Sequence, residues 1–453
     1  MRRSNSVGAW EAQVNNNGVL FNQSDSVHPV PDGWGGFWLN QNGVQDTMIY
    51  GAGLWVGGVR KFGGVDAPHV EGTYTPSIFF GSEFVPGSLI YGGTAIDSSQ
   101  AGRDKYRVYR STDVVGPSWP LRMVNGISTY VDDPLQRAAA GPKAVLSDED
   151  MFIVYKDSDT SVYSDPNPRP FGFEVRTQLC FWKKGLLKDV ILLHNQLLYR
   201  GKDTIFEPVV GFCIDGDVQF ENDDQVRTVT SEGTRSIVFY TDSSSTDPLL
   251  GVMVLTGNTA TSRPALSLRS IRYWDIEDDP ASDSDRYALL SGGGIAHSTL
   301  RRGDARALIV AGSSQPVAPG DTLQFDVAIY GANGVGPALN PADTLQMVRI
   351  ADEISAGYYS HTLQDAVRLS TPTIPSVTMT PNPVDRRLVV EVIAHSETFT
   401  NAVEVLKLFN AVGAEVKQGL ITSGIGSLEV EDLPSGIYAL SLGNIVRKIA
   451  IIH

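Results

Sequence analysis

The residues best suited to chemistry lie in the stretch CIDGDVQFENDD, which carries Asp215, Asp217, Asn222, Asp223 and Asp224. Calcium takes six to eight oxygen ligands at about 2.3–2.6 Å, and closely spaced Asp and Asn on a turning loop supply them. Gly216 permits a sharp turn between the first two carboxylates. The run departs from the twelve-residue EF-hand pattern, so a structural calcium ion and a plain solvated acidic turn both fit it. A second stretch, WDIEDDPASDSD, brings Asp275, Glu277, Asp278, Asp279, Asp283 and Asp285. Its looser spacing and its proline favour an exposed loop.

No catalytic residue can be assigned. His-Glu-x-x-His, Gly-x-Ser-x-Gly and a phosphate-cradling Gly-Lys-Ser/Thr loop are all missing from the sequence. A glycosidase-type carboxylate pair is left open, because its two acids need not be close in sequence. His194 falls inside a strong strand pattern and reads as a satisfied structural histidine. Arg302-Gly303-Asp304 is an adhesion motif in other settings, but three residues recur by chance. Trp34, Trp38 and Trp55 alternate with glycines and offer a sugar-stacking platform, although aromatics in such runs are more often spent on core packing.

The elements that must position these residues are mostly strands. Glycine (45) and proline (25) are plentiful and helical periodicity is scarce, so the 453-residue chain reads as all-β. FGFEVRTQLCFW and LKDVILLHNQLLY flank a turn at Lys183-Lys184-Gly185, and in APGDTLQFDVAIYG the residues Leu323, Phe325, Val327 and Ile329 share one face. One helix is predicted, over NPADTLQMVRIADEISAGYY. Asn340 caps it, Pro341 takes the first position, and Leu345, Val348, Ile350, Ala351 and Ile354 form the apolar stripe. The reading is a β-sandwich body over 1–371, with room for an internal boundary near 170. A Pro- and Thr-rich linker over 372–380 and a closing unit over 381–453 follow.

Composition narrows the partners. A net charge of −15 argues against nucleic acid and against an anionic membrane surface. No stretch has the roughly 18 consecutive apolar residues of a transmembrane helix. The two cysteines, Cys180 and Cys213, exclude a disulfide scaffold and a four-cysteine zinc site. They fit either one bridge between neighbouring strands or two separate buried thiols. The opening MRRSNSVGAWEAQVNNNG has two arginines with no apolar run behind them, and so does not itself read as a signal peptide.

The closing unit is the most regular part. Pro381-Asn382-Pro383 enters a strand, a position proline tolerates because it cannot donate to a ladder. RLVVEVIA and AVEVLKLF are short β-branched runs, and Asn410 and Gly413 mark a turn. In Leu433-Pro434-Ser435-Gly436, Leu433 can anchor in a core, Pro434 sets φ, and Gly436 takes a conformation that a bulkier residue could not. Tyr438 and Lys448 lie in the last two runs, and about seven short strands make an immunoglobulin-like sandwich.

PNPVDRRLVVEV, the turn Asn-x-x-Gly-x-x-Val, LPSGIYAL and the terminal VRKIAII together resemble the type A C-terminal sorting domain of type IX secretion cargo. The resemblance covers nearly all of 377–453. It implies that this unit directs a folded passenger through the outer membrane by way of the type IX machinery, to the cell surface or the medium. Members of that family first cross the inner membrane on a signal peptide, so the opening residues depart from the pattern, as a trimmed or misassigned start would. The body is similar, more loosely, to large secreted proteins of the same class, through YGAGLWVGG, LSDEDMFIVYKDSD, DTIFEPVVGFCIDGDVQFENDDQV and PVAPGDTLQFDVAIYG; that class implies a compartment and little chemistry. The expected role is a non-enzymatic extracellular or surface structural protein, able to self-assemble as a homo-oligomer or polymer into a layer, sheath or filament. The alternative is a carbohydrate-binding or carbohydrate-degrading module.

Overall fold

Trp10–Asn15 shows how one-sided strands arise in this chain: Trp10, Ala12 and Val14 are buried while Glu11 is exposed, the two-residue period of a sheet with one face on a core. The computed structural model describes residues 2–21, 36–39, 43–62, 65–76, 82–90, 94–95, 105–114, 119–124, 127–133, 136–163, 169–219, 223–231, 235–241, 247–255, 264–298, 302–334, 339–359, 376–380, 383–393, 404–410, 414–422, 425–442 and 445–453. These residues are mostly strand, and the fold is all-β. The chain divides into two compact units, Met1–Ala366 and Val367–His453. Among the described residues no helix is long and apolar enough to cross a membrane.

The larger unit is built on two nine-stranded sheets. At the centre of the first, Phe206–Gly216 pairs antiparallel with Gln45–Phe62 on one side and with Ala305–Gly312 on the other. At the centre of the second, Val190–Tyr199 lies between Phe173–Phe181 and Thr322–Asn333. Each sheet takes strands from both sides of residue 170, because Gln45–Phe62 pairs with Phe206–Gly216 and Glu149–Lys156 pairs with Phe173–Phe181. Residues of both sheets share one apolar core, with Val210, Phe212 and Ile214 from the first and Leu193, Leu197, Phe325 and Val327 from the second.

Several strands are buried on both faces, and their alternate residues enter different clusters. In Glu149–Lys156, Met151, Ile153 and Tyr155 belong to the shared core. Phe152 and Val154 instead join an outer cluster with Trp119 and Leu121. In Phe206–Gly216, Val209 and Cys213 face outward to Leu290 and Trp274. Leu290 lies on Asp283–Ser291, a helix absent from the sequence reading. Its start is a capping arrangement in which Ser282 Oγ accepts from the Asp285 amide at 3.2 Å and donates to the Asp285 carboxylate.

The predicted helix forms as Pro341–Tyr359, and Asn340 Oδ1 accepts from the amides of Ala342 and Asp343 at 2.8 and 3.0 Å. Its buried stripe runs through Met347, Ile350, Ala351 and Ile354, whereas Leu345 is exposed. Ile350, Ala351 and Ile354 are buried as predicted and Met347 joins them; Leu345 is corrected, since 3.6 residues per turn put 347, 350, 351 and 354 together and leave 345 outside. Cys180 and Cys213 are buried, unbridged thiols that lie in different sheets.

The smaller unit has seven strands hydrogen-bonded in one order. Ser376–Thr380, Arg387–Ile393 and Ile425–Glu429 form one layer, and Glu415–Thr422, Glu404–Phe409, Gly436–Leu442 and Ile445–Ile451 form the other. The layers join at a tight hairpin, where Ile421 pairs with Gly426 and Thr422 with Ile425, and Val384, just before the first layer's Arg387–Ile393, also bridges to Ile451 of the second. Leu388, Val390 and Leu428 from the first layer meet Leu406, Leu408, Leu440 and Ile449 from the second in one core, so this unit is a sandwich. Ser376–Thr380, read from its composition as linker, is the first strand.

Candidate functional site

The residues of the C-terminal resemblance come together. A groove of about 350 Å³ is lined by Asn410, Val416, Leu433, Pro434, Gly436, Ile437 and Tyr438. Asn410 and Val416 are the first and last positions of the Asn-x-x-Gly-x-x-Val turn, and the other five come from Leu-Pro-Ser-Gly-Ile-Tyr. Asn410 builds the turn by accepting the Ala414 amide on Oδ1 at 2.9 Å. Leu433 packs against the sandwich core. The Tyr438 hydroxyl donates to the Pro434 carbonyl at 2.8 Å, fixing the loop across its own strand. His453 reaches the same loop, with its ring nitrogen 2.8 Å from the Leu433 carbonyl. Ile437 remains half exposed at 49%.

Gly436 corrects its expected role. Its φ lies outside the left-handed region, and an added Cβ would meet its nearest neighbour, Tyr438, at an ordinary 3.6 Å. Backbone conformation does not demand glycine there. Pro383 is exposed, and Val384 after it pairs with the last strand through its amide to the Ala450 carbonyl at 2.9 Å. Lys448 is placed by its backbone opposite Ala439. Pro381, Asn382 and Gly413 lie outside the described residues.

The acidic run of the body and the second acidic stretch converge on one residue, Arg306. Asp215 stands opposite Arg306 in the ladder, 3.3 Å from its guanidinium, and accepts the Tyr74 hydroxyl at 2.9 Å. Arg306 also pairs with Asp304 and lies 3.5 Å from Asp279, which accepts the Trp274 indole N–H at 2.9 Å. The glycines of YGAGLWVGG make this arrangement sterically possible. A Cβ on Gly51 would overlap the Tyr74 ring and one on Gly53 would overlap Thr73, so the 73–74 segment can lie flat on the sheet and aim Tyr74 at Asp215.

Burial pushes the Asp215 carboxyl up to about 8 despite the neighbouring Arg306. Asp224 is wholly buried. Its Oδ1 accepts the Val218 amide at 3.1 Å, its Oδ2 has no donor, and burial raises it well above the usual carboxylate range. Backbone bonds between Asp224 and Gly303 tie this loop to Arg302-Gly303-Asp304, and Asp304 is held by Arg306. Asp217 is buried and its amide donates to the Met48 carbonyl, while Asp223 is half-buried. Asn222 lies outside the described residues. Among the described residues no group of three or more His, Cys, Asp or Glu side chains is arranged to hold a metal ion.

The platform expected from the tryptophans is corrected. Trp38 and Trp55 are 1% and 0% exposed, and their indole N–H groups donate to Asp189 at 3.1 Å and to the Tyr74 carbonyl at 2.6 Å. Both rings are spent on packing, and Trp34 lies outside the described residues. His194 is satisfied, its Nδ1 2.8 Å from the buried Asp326 carboxylate.

A second charged cluster escaped the sequence reading. His69 Nδ1 lies 2.8 Å from Asp283 and Nε2 lies 3.2 Å from Glu71. Arg286 is wholly buried. It binds Glu83 through two nitrogens at 2.7 and 2.8 Å and also bonds Asp283. Burial opposes charge on His69, but these carboxylates raise it to about 9; His69 and Arg286 in turn hold Asp283 down to about 2 against its own burial. The residues come from positions 69 to 286 and share no local motif. The one legible signal was Ser282-x-x-Asp285, which starts the helix that carries Asp283 and Arg286.

No family model and no curated protein matches this chain. Among solved structures it is similar to a bacterial glucoamylase complexed with acarbose, at 6% identity and a TM-score of 0.38, over 82% of this chain and 36% of that one. It is also similar to a copper-containing benzylamine oxidase from Hansenula polymorpha, at 7% identity and a TM-score of 0.32, over 73% of this chain and 60% of that one. An Aspergillus nidulans amine oxidase gives 9% identity and a TM-score of 0.30, over 75% and 52%. The chain thus spans less than two thirds of the length of each, and similarity at this level carries no argument about what it does.

Proposed function

We propose that the chain is a type IX secretion cargo, with Val367–His453 as its sorting unit and the β-rich body as a non-enzymatic surface or extracellular passenger. The observation that carries the reading is the groove in the smaller unit, whose lining residues all belong to two of the four motifs behind the resemblance. Motif residues scattered through a sandwich core would be explained by packing alone. A shared groove with an exposed Ile437 gives the secretion machinery a surface to recognise. For the body, the support is that Trp38, Trp55, Asp215 and the acids around Arg286 are consumed by internal packing and pairing, as suits a structural passenger.

The test is export of the full chain. Placed behind an inner-membrane signal peptide in a bacterium with type IX secretion, the whole protein should reach the surface or the medium, while a chain stopped after Ala366 should remain in the periplasm. Equal export of the two would overturn the reading. Light scattering on the exported body tests the structural role: assembly beyond a monomer is expected, and a monomer at all concentrations would remove self-assembly from the proposal.

A further inference from the structure

Glu71 and Asp157 are both wholly buried and come from different sheets of the body. Glu71 is in Val65–Gly72, which pairs with Gln45–Phe62 of the first sheet, and Asp157 directly follows Glu149–Lys156 of the second. Three successive amides serve them: Phe171 donates to Glu71 Oε1 at 3.0 Å, and Gly172 and Phe173 each donate to Asp157 Oδ2 at 2.8 Å. The Tyr163 hydroxyl lies between the same two residues, 2.9 Å from Glu71 Oε1 and 2.7 Å from the Asp157 carbonyl. Each carboxyl is left with one buried oxygen, Glu71 Oε2 and Asp157 Oδ1, that receives no donor from any other group.

Two ionised carboxylates in this position would repel each other, and each would bury an unsatisfied oxygen, a cost of about 1–3 kcal/mol apiece. A single proton removes both defects, because a protonated carboxyl becomes a donor to its neighbour. We infer that Glu71 and Asp157 share one proton at neutral pH, carried on Asp157 and donated to Glu71, as a clasp between the two sheets of the body that is released when the proton leaves.

The surrounding charges decide which acid carries it. From Glu71's own strand His69 faces Glu71, from the helix come Asp283 and Arg286, Glu83 lies against Arg286, and Tyr163 completes the ring. His69 holds Glu71 low against its burial, while burial and the Glu71 charge together raise Asp157 well above its ordinary range. The resulting stability is fully present below the unfolded carboxylate pKa of about 4 and is lost as pH rises through the folded value.

Infrared spectroscopy of the intact protein at neutral pH tests the clasp. Wild type should show a protonated carboxylic C=O band that shifts in heavy water and loses intensity in Asp157→Asn. The amide introduced by that substitution donates permanently to Glu71, so the part of the alkaline loss of unfolding midpoint that His69 does not cause should also disappear. Glu71→Gln gives the same reading should the first variant fail to fold, because the introduced glutamine amide can donate to an ionised Asp157 and the band component again vanishes. Variant spectra that superimpose on the wild type, or an alkaline loss identical in wild type and Asp157→Asn, would overturn the inference.

Discussion

Asp283 and Asp215 are the same residue type in the same unit, yet the first is held down to about 2 and the second is pushed up to about 8. Around Asp283 stand two cations, His69 and Arg286, and the acids they face are further supplied by backbone amides and Tyr163. Around Asp215 a single guanidinium, Arg306, is divided among Asp215, Asp279 and Asp304, with Asp217, Asp223 and Asp224 close by. Asp283 is also about a third exposed while Asp215 is buried, so the two differ both in the cations that face them and in how much water each has lost, not in the density of acids along the chain. In the acidic run most conspicuous in the sequence burial wins, as it also does at Glu83 beside Arg286.

The largest effect expected from this contrast is at Arg286. Arg286→Met leaves Glu83 and Asp283 facing each other without their shared cation, and removing one partner of a buried pair costs about 3–5 kcal/mol. Arg306→Met should cost less, because its contacts to Asp215 and Asp279, at 3.3 and 3.5 Å, are longer than the two bonds of 2.7 and 2.8 Å from Arg286 to Glu83. Urea unfolding of the two variants at neutral pH gives the ranking, and an Arg306→Met loss equal to that of Arg286→Met would break the comparison.

A smaller effect follows from pH. His69 is raised from its unfolded value of about 6.5 to about 9, so its contribution is complete below the first value and is lost as pH rises through the second. The loss should be on the order of 3 kcal/mol at most, and His69→Gln should flatten that limb of the profile. Asp283 has the opposite sign: its contribution is present above about 4 and disappears as pH falls toward 2, so Asp283→Asn should flatten the acid limb instead. Because each group shifts the other, each substitution should also shrink the other's limb in a profile of unfolding midpoint against pH, and limbs that respond independently would contradict the pairing.

The sequence allowed the strands to be read because alternation and turn residues are local signals, and Asn340 with Pro341 marked its helix for the same reason. Leu345 was assigned to the wrong face because apolar character alone cannot choose between Leu345 and Met347; the sheet beneath chooses. Asp283–Ser291 was missed because it is short and its acids suggested a loop, although Ser282 and Asp285 form a capping pair. The motif residues of the smaller unit were legible as a group, while their meeting in one groove depended on the strand order. Glu71 and Asp157 could not be foreseen. Their relation exists only because two sheets bring strands 86 positions apart within reach of the same three amides.

Asp224 gives the smallest expected effect and the sharpest test of the comparison. Its Oδ1 accepts the Val218 amide, which an asparagine oxygen can also do, and its Oδ2 has no donor that an amide nitrogen would displace. Burial raises the carboxyl well above the usual range and so favours its neutral form, which Asp224→Asn replaces by a neutral group of the same shape. The change in unfolding free energy should then be under about 1 kcal/mol, and EDTA should leave the wild-type midpoint where it was. A loss of several kcal/mol at Asp224→Asn, together with a midpoint that falls on chelation, would mean that the carboxylate is ionised against a bound cation. The acid run from Asp215 to Asp224 would then be a metal loop after all, and the two clusters would differ in the kind of cation rather than in the number.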